Sequence, residues 1–504
     1  MKNKAAFFKN GILLTAVGIA MRTVGIFLAG FITRAVGAEG VGLNSLIMNV
    51  YSFALTFSTA GISLTVTALV AAMIGRGLGG RVGEILRGAF IYSTGFAALG
   101  TVLLVLLARP LGSLIGDGRA VASLYILSFS LIPAAISSVI SGYFVGIRRV
   151  SLNAVLQVLG QCARVALTVS LLSGAESVGA ALRSLALGVT LTESIVAAAA
   201  LIELAVDRLS GDYERGHRAA VAPVARKALP LALSAYIRSA LLTLEHSIIP
   251  WRLSLYGQNA SEALASYGYM QGMALPIILY PMVLLSSFGS LLVPEFAEAR
   301  AAGNRGAMER IATKALGATL AFAAGAAVFM LLFSEELGYA VYGSYEAGSF
   351  IALLSPVVPI MYLDHVADSM LKGIGEEVYS MWVNIADSLL SLLLVFLLLP
   401  VLGIAGYAVV IIGMEGFNFL LSAVRLKGRV KFRIKPLQSL VLPAVLMLLS
   451  VTVAKTLVCV RGASVGIAVL AVQGVITLSV FIALLVGLRL ITEGRAKLRH
   501  QTRP

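Results

Sequence analysis

Charged side chains are scarce in this chain of 504 residues: lysine, arginine, aspartate and glutamate together make up 12% of it, against about 25% in a typical soluble domain. Hydrophobic residues make up 59% of the composition. Long polar segments are also missing, since the longest polar connection runs only from about 206 to 226. These absences exclude an ordinary soluble enzyme and indicate a membrane protein.

Cysteine and histidine are rare as well, with two and four copies. Cys162 and Cys459 cannot form a disulfide framework, and neither has the spacing of a zinc site. The chain lacks the GxxxxGKS or GxxxxGKT phosphate loop of ATP-driven transporters. It also lacks a large outer loop for the acidic or histidine cluster of a membrane glycosyltransferase. We therefore expect no enzyme activity, no organic cofactor, and no metal site beyond one for a monovalent cation.

Long apolar runs are what the sequence has in abundance. A helix needs about 20 mostly apolar residues to cross a bilayer, and fourteen windows meet this requirement. They are 11–33, 43–72, 88–108, 120–146, 152–173, 178–203, 228–250, 264–294, 312–333, 348–371, 378–400, 404–424, 437–457 and 463–488. A lipid-facing β-barrel would instead show segments of about ten residues with alternating polarity. We predict an all-α polytopic membrane protein with 14 transmembrane helices.

The net charge of +15 is explained by where the basic residues fall. With the N-terminus inside, 29 of the 39 lysines and arginines lie in the two tails and in alternate loops on the same side. Six lie in loops on the opposite side. Cytoplasmic loops of membrane proteins are enriched in these residues. The pattern predicts that both termini are cytoplasmic, which requires an even number of spans, and it gives no indication of nucleic acid binding.

Two halves of the chain share an arrangement of charged residues. When the two six-span halves are overlaid, Arg22 of span 1 falls opposite Arg238 of span 7. Arg34 and Arg252, at the outer ends of these spans, also correspond. Both halves then enter the membrane in the same direction, as in transporters with two parallel repeats. We predict an N-lobe at 1–206, a cytoplasmic linker at 207–226, a C-lobe at 227–425, and two further spans with a basic cytoplasmic tail at 426–504.

Arg22 is the only charged residue in the first apolar window, 11–33. A guanidinium at the centre of a spanning helix costs roughly 2.5 to 3.5 kcal/mol, so such a residue normally faces a wet cavity or an opposite charge. Arg238 has the corresponding position in the second half. Two alternatives stay open for this pair: contact with an anionic ligand, or ion pairs with carboxylates such as Glu245, seven residues after Arg238.

Polar side chains on spans 2 and 5 form further candidate contacts. Gln157, Gln161 and Arg164 lie on one face of span 5 at helical spacing. Such side chains either touch a ligand or hold helices together through hydrogen bonds. Asn44 and Asn49 of span 2 are weaker candidates of the same kind.

Oxygen-bearing side chains in the second half are candidates for a coupling cation. This group consists of Asn384, Asp387, Glu245 and Glu415. Asp387 could equally neutralise an arginine. Nearby, Asp364, Asp368 and Lys372 follow one another at four-residue spacing, which predicts a solvated ladder of ion pairs on one helix.

Three segments carry a resemblance to a known superfamily. Residues 141–150 and 157–165, SGYFVGIRRV and QVLGQCARV, are similar to its junction of spans 4 and 5. Residues 292–300, LVPEFAEAR, are similar to its exit from span 8, and 396–406, FLLLPVLGIAG, to the hairpin joining spans 11 and 12. The chain resembles the multidrug/oligosaccharidyl-lipid/polysaccharide exporter superfamily, and within it the stage V sporulation protein B and MurJ-like flippases of lipid-linked precursors.

The resemblance implies a flippase in the bacterial cytoplasmic membrane. It would move an undecaprenyl-pyrophosphate-linked sugar, such as lipid II, to the outer leaflet by alternating access between two lobes, in cell-envelope or spore-cortex biogenesis. Its partners would be this glycolipid, membrane lipids and envelope-synthesis enzymes, with Na⁺ or H⁺ as the coupling ion. Arginine suits a diphosphate because its planar fork donates paired, charge-assisted hydrogen bonds. The candidate contacts are Arg22 and Arg238, followed by Arg164, Gln157, Gln161, Asn44 and Asn49.

A cation-coupled multidrug antiporter of the same superfamily is the alternative. A cavity for cationic drugs would be lined by carboxylates and aromatic rings. Two repeat-related arginines favour an anionic head group instead. Relatives often carry a carboxylate where this chain has Gly160, so no role is transferred to that position.

Overall fold

The computed structural model of the protein describes residues 2–76, 78–209, 219–458 and 466–501. Within these ranges every regular element is a helix, and no strand occurs. The α-helices are α1 (Lys2–Thr59), α2 (Ile62–Gly75), α3 (Val82–Ile115), α4 (Arg119–Ser128), α5 (Leu131–Gly146), α6 (Val150–Leu172), α7 (Val178–Leu209), α8 (Val221–Leu255), α9 (Ala260–Tyr267), α10 (Leu275–Ile278), α11 (Met282–Ala301), α12 (Arg305–Leu332), α13 (Ser334–Tyr342), α14 (Tyr345–Leu354), α15 (Val358–Gly373), α16 (Glu377–Arg429), α17 (Leu442–Leu457) and α18 (Ile467–Gln501). The predicted all-helical class is confirmed for this part of the chain.

Ten of these helical segments are long and apolar enough to cross a membrane, or eleven if the bent pair α4 and α5 forms one span. This count covers only the described ranges. Between 11% and 56% of each apolar window is buried inside the protein, so much of the remaining apolar surface is free to face lipid. The protein is therefore a multi-span membrane protein, whereas fourteen crossings and the inward position of both termini stay predictions.

The two longest helices, α1 and α16, are each broken by one glycine. Gly37 has φ 69° and ψ 179°, and Gly403 has φ 60° and ψ −143°. Glycine adopts positive φ readily because it has no Cβ. Both glycines lie between consecutive apolar windows of the sequence, so each long helix consists of two helical arms.

The predicted span at 264–294 is not a continuous α-helix. It contains the second half of α9, a π-helical segment at Gly268–Ala274, the short α10, and most of α11. Pro276 lies in the first positions of α10, and Pro281 directly precedes α11. Proline removes a backbone donor and clashes with the preceding turn, which explains breaks at these points.

Contacts divide the chain into two compact units. The first unit contains Met1–Gly30, Tyr269–Val383 and Ala408–Pro504, and the second contains Phe31–Gly268 and Asn384–Tyr407. The first has an apolar cluster around Phe333, Met447 and Val451. The second has a larger cluster that includes Ile62, Val66, Val139, Ile140, Tyr143 and Phe144. The predicted division into two lobes along the sequence stays a prediction.

Some predicted features fall outside the described residues. These are 210–218 of the predicted linker, the start of the window at 463–488 together with Cys459, and the last three residues of the basic tail. The side chains of 488–501 are also outside the description, although this stretch belongs to α18.

Candidate functional site

Arg22 lies on α1 in the first unit and is exposed. The neighbouring Thr23 hydroxyl is 2.8 Å from the Tyr280 hydroxyl. Among the described residues no carboxylate forms an ion pair with Arg22, so the structure does not contain the internal ion pair that the sequence allowed.

Arg238 lies on α8 in the second unit and is also exposed. The sequence allowed an ion pair with Glu245 on the same helix. Within the described ranges this pair does not form, and the Glu245 carboxylate has a partner on another helix. It accepts a hydrogen bond from the Ser391 hydroxyl at 2.6 Å. Arg238 therefore has no carboxylate partner among the residues that the structure describes, although its helix is mostly apolar.

Glu245 and Asp387 form the centre of an acidic cluster in the second unit. Glu245 is 6% exposed, and its charge interacts with that of Asp387 on α16. Ser391 lies one turn beyond Asp387 on α16. Its hydrogen bond to Glu245 connects α16 with α8. Two carboxylates that interact repel unless a cation or a proton compensates their charge. The arrangement is chemically suited to bind a monovalent cation or to share a proton.

The other two predicted cation ligands, Asn384 and Glu415, lie in different units. Asn384 is on α16 one turn before Asp387 and belongs to the same unit. Its main-chain carbonyl accepts a hydrogen bond from Ser388. Glu415, on the second arm of α16, belongs to the first unit. Three of the four predicted oxygen ligands therefore share a unit, and Ser391 is a member that sequence reasoning missed.

Asn49 is part of a second polar cluster in the second unit. Its side-chain amide donates to the Tyr267 hydroxyl at 3.0 Å, and this hydroxyl is 3.1 Å from His246 Nδ1. Thr243 donates to the Asn49 main-chain carbonyl. Tyr267 is fully buried. Tyr267 was not predicted from the sequence, because a tyrosine in an apolar run gives no separate signal.

The helix crossing beside this cluster depends on two glycines. A Cβ at Gly42 would lie 2.0 Å from the Leu264 carbonyl oxygen, and one at Gly268 would lie 2.3 Å from the Ala38 carbonyl oxygen. No side chain fits at such distances. The close approach of the two backbones therefore positions Tyr267 next to Asn49.

The polar face of α6 consists of Gln157, Gln161 and Arg164. Arg164 lies 4.0 Å from Glu193 of α7, which is consistent with the interpretation that it holds helices together. Gln157 is exposed, Gln161 is half-buried, and neither forms a hydrogen bond within the described part of the chain. Asn44 on α1 is likewise half-buried without a hydrogen bond there.

Two further arginines have partners that the sequence did not indicate. Arg252 stacks on the Phe396 ring with its guanidinium carbon 3.9 Å from the ring centroid. Arg119 is hydrogen-bonded to Asp117 and to Glu39. The sequence places Arg252 only at the outer end of span 7 and gives no partner for Arg119. The side chains that satisfy them are distant in sequence or lie in turns, where helical spacing gives no information.

Glu376, between α15 and α16, joins two arginines at the end of α16. Arg425 and Arg429 each lie 2.7 Å from its carboxylate. The hydrogen bond from Arg425 holds the pKa of Glu376 below its ordinary value, and the charges of both arginines add to this effect. In the sequence these two arginines only contribute to the excess of basic residues that predicts the cytoplasmic side.

Comparison with known proteins identifies the family. The model of the polysaccharide biosynthesis protein family matches residues 7–300, and that of the MatE family matches residues 253–397. The stage V sporulation protein B of Bacillus subtilis (strain 168) is 25% identical over 420 residues, which cover 81% of each chain. The first match spans more than half of the 504 residues.

Solved structures show the same fold. The lipid II flippase MurJ in an inward closed conformation aligns with a TM-score of 0.72 at 14% identity, over 94% of this chain and 97% of that chain. An inward-facing multidrug resistance MATE transporter aligns with a TM-score of 0.66 at 15% identity, over 82% and 98%. The chain belongs to the polysaccharide biosynthesis protein family, within the multidrug/oligosaccharidyl-lipid/polysaccharide exporter superfamily that its sequence resembles.

Proposed function

We propose that this protein is a flippase that moves an undecaprenyl-pyrophosphate-linked sugar precursor across the bacterial plasma membrane by alternating access. It catalyses no covalent step. The observation that carries this proposal is the pair of exposed arginines, Arg22 and Arg238, on apolar helices without a carboxylate partner in the described ranges. The similarity to stage V sporulation protein B and to the lipid II flippase supports a lipid-linked substrate.

The chemistry of such a substrate explains why arginines belong in these helices. A diphosphate and a glycan cannot enter hydrocarbon without polar partners. A guanidinium stays charged at every physiological pH and donates in a fork that matches phosphate oxygens. Arg22 and Arg238 each serve as contacts for the diphosphate, whereas Gln157, Gln161 and Asn44, whose amides make no hydrogen bond within the described ranges, are contacts for the sugar.

The proposed topology has fourteen crossings with both termini in the cytoplasm. Counting α4 and α5 as one span gives eleven candidates. The breaks at Gly37 and Gly403 divide α1 and α16 into two arms each, which raises the number to thirteen. The 35-residue α8 supplies another. The excess of basic residues in alternate connections supports the inward position of the termini.

The acidic cluster is proposed as the coupling site. Glu245 and Asp387 together can hold Na⁺ or a shared proton, with oxygen atoms of Ser391 and Asn384 nearby on α16. Binding of the cation would neutralise the repulsion between the two carboxylates. A gradient of this cation would then supply the free energy for the return of the empty protein.

Transport of a fluorescent undecaprenyl-pyrophosphate sugar in liposomes tests the proposal. We expect Arg22→Gln and Arg238→Gln to lower the rate at least about tenfold, because each loses a charge-assisted contact worth roughly 1.5 to 3 kcal/mol. Arg109→Gln is the matched control, since Arg109 is an exposed arginine on α3 outside the proposed contacts. Unchanged transport in both variants would show that the two arginines are structural.

A multidrug antiporter is the second candidate function. The match of residues 253–397 to the MatE family favours it, because this range contains Asp387. The same liposomes therefore receive a cationic dye in a parallel experiment. Export of the dye without movement of the glycolipid would replace the flippase proposal by this one.

A further inference from the structure

Two adjoining cavities lie where α11, α12 and α16 end in the first unit. The larger has a volume of about 310 Å³ and is lined by Arg300, Arg305, Arg429 and Glu376. The smaller, about 140 Å³, shares Arg305 and Arg429 with it. Its other charged lining residues are Glu309, Lys427 and Lys431. We call this region the basic cavity, because five cationic side chains and two carboxylates line it.

The carboxylates of the basic cavity do not balance its cations. Glu376 is already engaged by Arg425 and Arg429. Arg300 and Arg305 form no ion pair with any residue that the structure describes. Gly375, at φ 72°, leaves room for the first of them, since a Cβ there would lie 2.7 Å from Arg300 Nη1. Two guanidinium groups are thus available for an external anion.

Arg305 is the residue whose position is hardest to explain without a ligand. It is the first residue of the 28-residue α12, and the first turn contains no acidic residue. A cation at a helix N-terminus opposes the helix dipole, whereas Arg300 and Arg429, in the last turns of their helices, are stabilised by it. The same N-terminus favours an anion through its dipole, although the Asn304 side chain already accepts a hydrogen bond from the Ala307 N–H. A bound anion would therefore resolve the unfavourable position of Arg305.

The chain that follows α16 extends the positive surface beside the cavity. Val430 is buried, whereas the alternate residues Lys431, Arg433 and Lys435 are exposed. The Arg433 main-chain N–H donates to Thr313 of α12 at 3.3 Å, which anchors this segment along the helix. The alternation leaves all three cations on the exposed side.

We propose that the basic cavity binds a phosphate group carried by an anionic membrane lipid. It lies at the ends of three helices that are each long and apolar enough to cross a membrane, where lipid headgroups are close. Basic pockets between the ends of spanning helices are suited to such headgroups. This role is separate from that of Arg22 and Arg238 and does not depend on which substrate the protein moves.

Thermal unfolding of the purified protein in a neutral detergent tests this site. We expect dioctanoyl phosphatidylglycerol to raise the melting temperature saturably, and dioctanoyl phosphatidylcholine to have no such effect. In Arg300→Gln with Arg305→Gln the apparent affinity should fall about tenfold. Arg310→Gln is the control, because Arg310 is exposed on α12 but does not line the cavity. Arg305→Lys should give an intermediate affinity, since it keeps the charge and loses the fork.

Three results would overturn the proposal. One is the absence of a saturable effect of phosphatidylglycerol, and another is an equal loss of affinity in Arg310→Gln. The third is an equal effect of inorganic phosphate, which would assign the cavity to free phosphate. The melting temperatures without lipid show whether each variant folds, and the single Arg300→Gln variant is used if the double one does not. Binding is measured without transport, so its failure leaves the flippase proposal intact.

Discussion

The acidic cluster of the second unit and the basic cavity of the first unit differ in the partners of their charged side chains. Glu245 is buried, and its carboxylate accepts a hydrogen bond from the Ser391 hydroxyl of α16. Arg300 and Arg305 are exposed at helix ends, and the structure forms no ion pair for them among its described residues. In the acidic cluster a side chain of the protein contacts one of the two carboxylates, whereas the proposed partner of the two arginines is an external anion. The partners of a charge indicate its role better than the residue type.

The arginines of the chain also differ in whether they have a carboxylate partner. Arg119 and Arg164 have carboxylate partners on neighbouring helices, so they connect elements of the fold. Arg22 and Arg238 have none in the described ranges and lie on apolar helices. An uncompensated guanidinium in such a helix is costly and is retained where it contacts something polar.

Gly42→Ala should have the largest effect, because it separates the helices that hold the buried polar groups of the second unit. The new Cβ would lie 2.0 Å from the Leu264 carbonyl oxygen. Overpacking of this kind costs about 1 to 3 kcal/mol, and sometimes more. Thermal unfolding measures the loss. Gly95→Ala on α3 is the control, since nothing lies within 4 Å of its Cβ position, and equal stability of both variants would contradict the proposed crossing.

Glu245→Ala should be next, because it leaves the buried Ser391 hydroxyl without its acceptor. An unsatisfied buried group costs about 1 to 3 kcal/mol. Glu245→Gln keeps an acceptor oxygen and should remain near wild-type stability, yet lose its response to an imposed Na⁺ or H⁺ gradient. Transport in liposomes with reversed gradients measures this response. A full response in the glutamine variant would remove Glu245 from the coupling site.

Glu376→Gln should show a smaller, pH-dependent effect. The pKa of Glu376 is lowered in the folded state by Arg425. Its contribution to stability is therefore complete above the ordinary glutamate pKa of about 4.3 and is lost as the pH falls through the lowered value. The difference in melting temperature between wild type and variant should be constant from pH 8 to about pH 5 and shrink below it. A difference that grows on acidification would contradict the ion pair.

Arg164→Gln should have the smallest effect on stability. Its contact with Glu193 is 4.0 Å long, and its side chain is 38% exposed. Such pairs contribute about 0 to 1 kcal/mol. Parallel unfolding and transport measurements distinguish its two interpretations. Strongly reduced transport at unchanged stability would make Arg164 a substrate contact, whereas a small loss of both indicates a connection between helices.

Local pairs were predictable from the sequence because helix geometry fixes them. The predicted ladder on α15 is confirmed in part by the ion pair between Asp368 and Lys372, at 2.6 Å. The same reasoning failed at longer range. The pair between Arg238 and Glu245 that the sequence allowed does not form among the described residues, and the Glu245 carboxylate instead accepts a hydrogen bond from Ser391, 146 residues away.

Composition and hydropathy by themselves determined that this is an all-helical protein of the membrane, because the cost of an unsatisfied backbone in lipid leaves few alternatives. Three short segments were sufficient to indicate the superfamily. The tertiary structure alone decided which charges are compensated. Asn49 contacts Tyr267 across 218 residues, and Glu376 pairs with Arg425, 49 residues away. Such contacts depend on helix crossings and chain breaks, which one-dimensional periodicity does not contain.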